Sequence, residues 1–249
     1  MMWLLLTVAL AGAEDDLTSE LARGVSVNWT RGVVQVEAGS YRAGAQAAKA
    51  VEQSARLAID DRLADELGEV PVTGALSVDD LLQSADFGPP LVSRRSRWRV
   101  VEAVYAASGK VDLQAELSLQ DFLKPYTLSL AVPTPPTAQE GPHTGLIVDA
   151  RGEGLAPVYV PTVSGPDGAP IWSGEMYDED AVTTAPCVWV AHPDHPVVAE
   201  RVGASPLRVK GVADGAGRVR VGAADAAALR SLKGTMALGH GRVVMVTDL

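Results

Sequence analysis

A single cysteine, Cys187, stands in the 249 residues of this chain, so no intrachain disulfide can form and stability has to come from burial. Aromatic residues are scarce as well, at 5%, against 47% hydrophobic residues overall. The apolar content is mostly Ala, Val and Leu. That predicts a core of small aliphatic side chains, with Trp29, Trp98, Trp172 and Trp189 as its few large anchors. Cations are outnumbered: 21 Lys and Arg face 31 Asp and Glu, and the net charge is −10. Such a surface repels a phosphate backbone, which argues against nucleic acid as a partner. The short basic run Arg94, Arg95, Arg97 and Arg99 alternates with Ser96 and Trp98 as a solvated strand face would. Local signatures of catalysis are missing too. No Gly-x-Ser-x-Gly elbow and no Gly-Lys-Ser/Thr phosphate loop occurs, and no cofactor is implied.

What is present begins at the N-terminus. Met1–Ala13 is apolar without a charged side chain, and Glu14, Asp15 and Asp16 follow at once. Trp3–Leu10 makes a short apolar region, and Ala11 and Ala13 are the small residues before a cut, so the stretch reads as a secretory signal cleaved between Ala13 and Glu14. Leu10-Ala11-Gly12 opens like a bacterial lipobox, but Ala13 stands where the cysteine would be, so there is no thiol to acylate. No later segment approaches the about 20 apolar residues of a membrane helix, so none is expected after the signal. The expected location is the periplasm or cell envelope of a Gram-negative bacterium.

Gly24–Ala38 carries Val25, Val27, Trp29, Val33, Val34 and Val36 around Gly32, and reads as one bent strand or two short ones. Arg42–Leu67 holds the strongest helical period: Ala47, Val51, Ala55, Ala58, Ile59, Leu63 and Leu67 recur at helical spacing, and Gly68 follows as a stop. Val70–Thr73 is a short strand candidate. Ser77 with Asp80 reads as the capped start of a small helix through Ser84, which Pro89 and Pro90 then break. Val92–Ala107 and Lys110–Leu119 form a hairpin around Ser108-Gly109. In the second arm Val111, Leu113, Ala115, Leu117 and Leu119 share one face, and Asp112, Gln114, Glu116 and Ser118 the wet one.

A Trp-x-x-Gly strand start at Trp29 and Gly32, a long Ala-rich helix with Ala47, Ala55 and Arg56, and a hairpin with Gly109, Val111 and Leu117 carry a resemblance. The pattern resembles the envelope domain shared by small outer-membrane-associated lipoproteins of the LPP-twenty type and the N-terminal part of flagellar assembly protein T. It covers Gly24–Leu123. The resemblance implies an envelope protein and supplies no reaction. The chain departs from the lipoprotein members at Ala13, where they carry the anchoring cysteine.

Pro125, Pro133, Pro135, Pro136 and Pro142 punctuate Lys124–His143. Leu128–Val132 would extend a strand, and Pro133–Gly141 reads as an extended linker. Beyond it, Thr144–Ala150 is an apolar strand, Val158–Val163 starts another, and Pro166-Asp167-Gly168 turns into Ile171 and Trp172. Thr183–Ala191 is a strand that Pro186 assigns to an edge or a first position. Leu207–Ala213 and Arg218–Val221 flank the turn Asp214–Gly217. Ala223–Leu232 is a short helix with Ala227 or Ala228 and Leu232 inward, and Arg242–Val246 a buried strand. Thr144–Gly152, Arg201–Gly203, Pro206-Leu207, Ala224–Ala226 and Gly241–Val246 also resemble the C-terminal part of secreted bacterial proteins that carry the same first domain. The expected division is a signal at 1–13, an α+β domain at 14–126, a Pro-rich linker at 127–143 and a β-rich domain at 144–249. The expected fold class is α+β: an antiparallel sheet packed on one long helix, then a β-rich domain with one short helix.

Three groups of residues could carry chemistry. Asp149 and Arg151 end a strand and could form a ligand-binding pair; a local ion pair at a turn is the ordinary alternative. His192, Asp194 and His195 offer two imidazoles and a carboxylate to a metal, although catalytic zinc wants three protein ligands and structural zinc four, and Pro193 and Pro196 make this a stiff loop. Cys187 lies among Pro186, Val188 and Trp189, where burial keeps a thiol inert. The leading expectation is an exported, non-enzymatic envelope protein that binds other envelope proteins, as an accessory to a surface organelle such as the flagellum. A small-molecule or glycan-binding module at Asp149 and Arg151 is the alternative, and a metal-dependent hydrolase on the His loop the remaining one.

Overall fold

Valine alternation builds the first sheet and one Ala-rich helix covers it. The computed structural model describes residues 15–41, 48–130, 142–173, 184–232 and 236–248. The signal at 1–13 and its cut between Ala13 and Glu14 lie outside them, as does most of the linker. The elements of the first half are β1 (Thr18–Ala22), β2 (Val25–Asn28), β3 (Val33–Tyr41), α1 (Ala48–Glu66), a 3-10 turn (Leu67–Glu69), α2 (Val78–Gln83), α3 (Gly88–Arg95), β4 (Arg99–Tyr105), β5 (Lys110–Ser118) and α4 (Leu119–Leu130). The five strands are antiparallel in the order β1-β2-β3-β5-β4. Val27, Val34 and Val36 point to one face with Val111, Leu113, Ala115 and Leu117, all buried. Against that face α1 lays Val51, Ala55, Ile59 and Leu63, each no more than 1% exposed. Burying a side chain such as Ile59 or Leu63 contributes about 1.5–3 kcal/mol, and Ala55 lets the helix approach the sheet closely.

Several expectations for this half need correction. Pro89 and Pro90 start α3 rather than break a helix, because the first helical positions have no N–H bond to lose. The strand expected from Val92 therefore begins only at Arg99. Arg94 and Arg95 occupy the last turn of α3, where cations oppose the helix dipole, and are not on a strand face. Gly68 does not stop α1 in a left-handed conformation; the chain tightens into the 3-10 turn, and a Cβ at Gly68 would lie 3.3 Å from the Cβ of Asp79. No strand extends through Leu128: α4 runs on to Leu130 despite Pro125, because Leu119, Phe122, Leu123 and Tyr126 form a buried helical stripe. Val70–Thr73 keeps only an isolated bridge, between Pro71 and Ser77. Glu116 is 3% exposed rather than wet, because Arg31 and Arg99 close over it. The Ser77–Asp80 capping box and the hairpin at Gly109, which has φ 83°, form as expected.

The second half contains β6 (Leu146–Asp149), β7 (Thr162–Ser164), β8 (Pro170–Trp172), β9 (Val188–Val190), α5 (Pro196–Val202), β10 (Leu207–Ala213), β11 (Arg218–Val221), α6 (Ala223–Leu232), α7 (Met236–Gly239) and β12 (Val243–Val246). They give a seven-stranded sheet in the order β8-β7-β11-β10-β6-β12-β9. The hairpins β7–β8 and β10–β11 are antiparallel, whereas β10, β6, β12 and β9 run parallel. Parallel strands want both faces covered, and Leu146, Ile147 and Val148 are accordingly all buried. Ile147, Val190, Val244 and Val246 pack with Val198 and Val202 of α5. Leu146, Val148, Val243 and Met245 join a cluster that includes Ala226, Leu229 and Leu232 of α6. Ala226 and Leu229 thus face inward, not Ala227 or Ala228, since the buried positions of α6 repeat every three residues. Of the strand expected over Val158–Val163 only Thr162–Ser164 is regular.

The same apolar cluster continues into the first half. Val158–Val160 is buried there, and backbone hydrogen bonds cross between the halves: Tyr159 N–H donates to Pro71 O at 3.0 Å, and Val160 N–H to Val72 O at 2.7 Å. Thr30 Oγ1 donates to Trp189 O at 2.8 Å and accepts from Leu17 N–H at 2.9 Å. The indole of Trp189 donates to Val158 O at 2.9 Å.

Candidate functional site

In an open sheet the carboxyl ends of parallel strands are where ligands usually bind. Asp149 is the last residue of β6, which lies between two parallel neighbours. The chain leaves β6 through Gly152 and Gly154, at φ 80° and 64°, a conformation that favours glycine. Arg151 folds back on Asp149: its Nε donates to Oδ1 at 2.9 Å and its Nη2 to Oδ2 at 2.6 Å. That fork holds the Asp149 carboxyl below its ordinary range and raises Arg151. From the end of β12, Asp248 accepts the Gly152 N–H at 2.7 Å and 3.0 Å. The charges of Asp194 and Asp248 also favour the protonated guanidinium, and Lys210 favours the ionised Asp149. The rim therefore brings Asp149, Arg151, Asp194 and Asp248 near one another. Its polar groups are engaged inside: the Arg151 fork donates to Asp149 and the Asp248 carboxylate accepts from Gly152, an arrangement that braces the β6 corner.

The His loop is taken apart by its neighbours. His195 caps α5, where its Nδ1 accepts the Val197 N–H at 3.2 Å. Its Nε2 faces Asp16 Oδ1 at 3.4 Å, and Asp16 Oδ2 accepts from Asn28 Nδ2 at 2.8 Å. Both ring nitrogens are thus turned to the protein. His192 and Asp194 are exposed in the turn before α5. Among the described residues no three His, Cys, Asp or Glu are grouped so as to hold a metal ion. Cys187 is buried, and burial pushes its thiol up to about 12, far from a nucleophile's range.

Two surfaces of the first sheet were not singled out by the sequence. One is β4, an outer strand of the five-stranded order, with Val101, Val104 and Tyr105 at 43%, 50% and 57% exposure. A bulge at Val101 breaks its register with β5. The other is a cleft of about 840 Å³ on the outer face of β3, β5 and β4, lined by Glu37, Gly39, Tyr41, Glu102 and Gln114 among others. Residues 145–249 match a family model described as the second domain of Treponema pallidum Tp0624. That span holds the whole seven-stranded sheet with the Asp149–Arg151 corner, and neither surface of the first sheet. No curated protein matches the chain.

Proposed function

We propose that this chain is an exported, non-enzymatic protein of a bacterial cell envelope that acts by binding another envelope protein. The observation that carries the reading is β4. Among the described residues its outward edge has no strand beside it, and Val101 and Val104 are exposed along it, while Tyr105 turns to the α1 side, where its hydroxyl donates to Glu52 at 2.9 Å. Exposed edge strands with apolar side chains invite a partner strand, because the partner satisfies the backbone groups and covers the side chains. Export rests on the apolar Met1–Ala13 stretch before its acidic triplet, and the surface-organelle setting rests on the flagellar assembly resemblance. Among the described residues no helix is long and apolar enough to cross a membrane.

Cell fractionation with N-terminal sequencing tests the location. The expected result is a chain in the envelope fraction starting near Glu14, and a cytoplasmic chain that retains Met1 would end the reading. Val104→Lys tests the mode of binding. It should release the partner that copurifies with the native chain while leaving the melting temperature unchanged, and retention of that partner would count against β4.

A further inference from the structure

We propose that the seven-stranded sheet binds an extended acidic segment of a partner protein along a ladder of four cations, Arg208 and Lys210 on β10 with Arg220 and Arg218 on β11. Alternation decides which face they occupy. Val209 of β10 and Val219 and Val221 of β11 are buried in the cluster that includes α6. Arg208, Lys210 and Val212 therefore turn to the opposite face with Arg218 and Arg220, and all five are exposed. The helix on that face, α5, packs on Ile147, Val190, Val244 and Val246, which belong to β6, β9 and β12. It leaves the same face of β10 and β11 uncovered.

The register puts the four charges in line. Val212 pairs with Arg220, and the Asp214 N–H donates to Arg218 O at 2.8 Å. Along the direction of β10 the order is thus Arg208, Lys210, Arg220 and Arg218, one step for every two residues. A step is about 6.8 Å and the whole ladder about 20 Å. Among the described residues Arg218 and Arg220 share one carboxylate: Asp214 lies 3.5 Å from the first and 2.9 Å from the second. No side-chain hydrogen bond or ion pair engages Arg208 or Lys210 among the described residues. Asp149, the register partner of Lys210, is taken up by the Arg151 fork. A chain of net charge −10 thus carries a local surplus of cations on this face.

Spacing and shape select the occupant. Alternate side chains of an extended peptide project to one side every about 6.8 Å, so acidic residues at every second position meet successive cations of the ladder. Arginine clusters recognise acidic motifs, and Val212, 55% exposed beside Arg220, offers the peptide an apolar contact. A helix is about 10 Å thick, and α5 stands next to Arg208, whose register partner is Ile147. The cations therefore lie at the foot of a step, which a chain can follow and a planar bilayer meets only at α5. The ladder is on the other sheet from β4, so this inference goes beyond the edge reading and either can fail alone.

Fluorescence anisotropy on the full chain at low salt tests it with four labelled probes. They are an octapeptide alternating glutamate and serine, one with its four glutamates in a block, one alternating lysine and serine, and a thymidine pentanucleotide. The alternating glutamate peptide should bind most tightly and the block peptide several-fold more weakly, the lysine peptide should not bind, and added salt should weaken the complex. Arg208→Glu with Lys210→Glu should weaken it about tenfold, the effect of losing two exposed ion pairs. Lys49→Glu with Arg97→Glu, an equal change of charge at exposed positions of the first half, should leave it within about twofold. If the first double variant lowers the melting temperature, Arg208→Gln with Lys210→Gln carries the test. No binding of the alternating glutamate peptide, equal affinity for the block peptide, tighter binding of the pentanucleotide, or equal losses in the two charge-reversed variants would each overturn the proposal.

Discussion

Glu116 shows how a single side chain can reverse its expected role. Strand alternation puts it on the wet face, yet the guanidinium of Arg31 at 2.6 Å and that of Arg99 at 3.3 Å shield it from water. Nothing in the local pattern predicts this, because Arg31 lies in the turn before β3 and reaches a residue of β5, 85 positions on. Glu116→Leu removes the acceptor and strands both cations over an apolar group. Because Arg31 and Arg99 are exposed enough to hydrate once released, the expected loss is at most about 1 kcal/mol, read by urea denaturation. Asp149 gives a pH-dependent case. Its carboxyl is depressed from an ordinary value of 3.8 by the Arg151 fork. A depressed folded value means stability that is present above the unfolded value and lost as pH falls through the folded one. Asp149→Asn should therefore destabilise the chain above about pH 5, and the gap from the native chain should close in more acidic solution. A gap that stays constant with pH would contradict the ion-pair account. The spacing of Asp149 and Arg151 was legible in the sequence. Their mutual saturation, and the Asp248 carboxylate that accepts from Gly152 across 96 positions, were not.

At the scale of elements, α1 and the hairpins were readable because their signals are local. The buried series Val51, Ala55, Ile59 and Leu63 repeats at helical spacing. Ile59→Ala should cost about 2–5 kcal/mol by leaving a cavity against the sheet, measured by thermal or urea denaturation. The turns at Gly168 and Gly217 allow a sharper comparison. Both glycines have positive φ, 77° and 60°. Gly168 faces open space, while a Cβ at Gly217 would run into Val158. Gly168→Ala should lose about 1 kcal/mol, the backbone cost alone, and Gly217→Ala distinctly more; equal losses would show that packing at Val158 is unimportant. The prolines misled in the other direction. Pro89, Pro90 and Pro125 all sit in helices, where either the helix start or a buried stripe tolerates them.

At the scale of the whole molecule, the parallel pairing of β6, β9, β10 and β12 was hidden, since it joins segments far apart and leaves no turn signature. The α+β class was legible, and so were the antiparallel pairs β1–β2, β2–β3 and β4–β5, which close through short turns; the β3–β5 pairing, which spans three helices, was not. The backbone bonds of Tyr159 and Val160 to Pro71 and Val72 were beyond reach for the same reason as the parallel strands. With the shared apolar cluster they predict one cooperative unfolding transition, seen at the same midpoint by tryptophan fluorescence and by far-ultraviolet circular dichroism. Trp189→Phe removes the indole donor from Val158 O and should lower that midpoint without splitting it. Two separated transitions would contradict a welded pair of sheets. The most direct measurement places a photo-activated crosslinker at Val101 on β4, with Asp65 on α1 as the control, in cells that make the chain. The account predicts a discrete adduct to an envelope protein from Val101, none from Asp65, and loss of the Val101 adduct on Val104→Lys. Adducts of equal yield from both positions, or from neither, would contradict it.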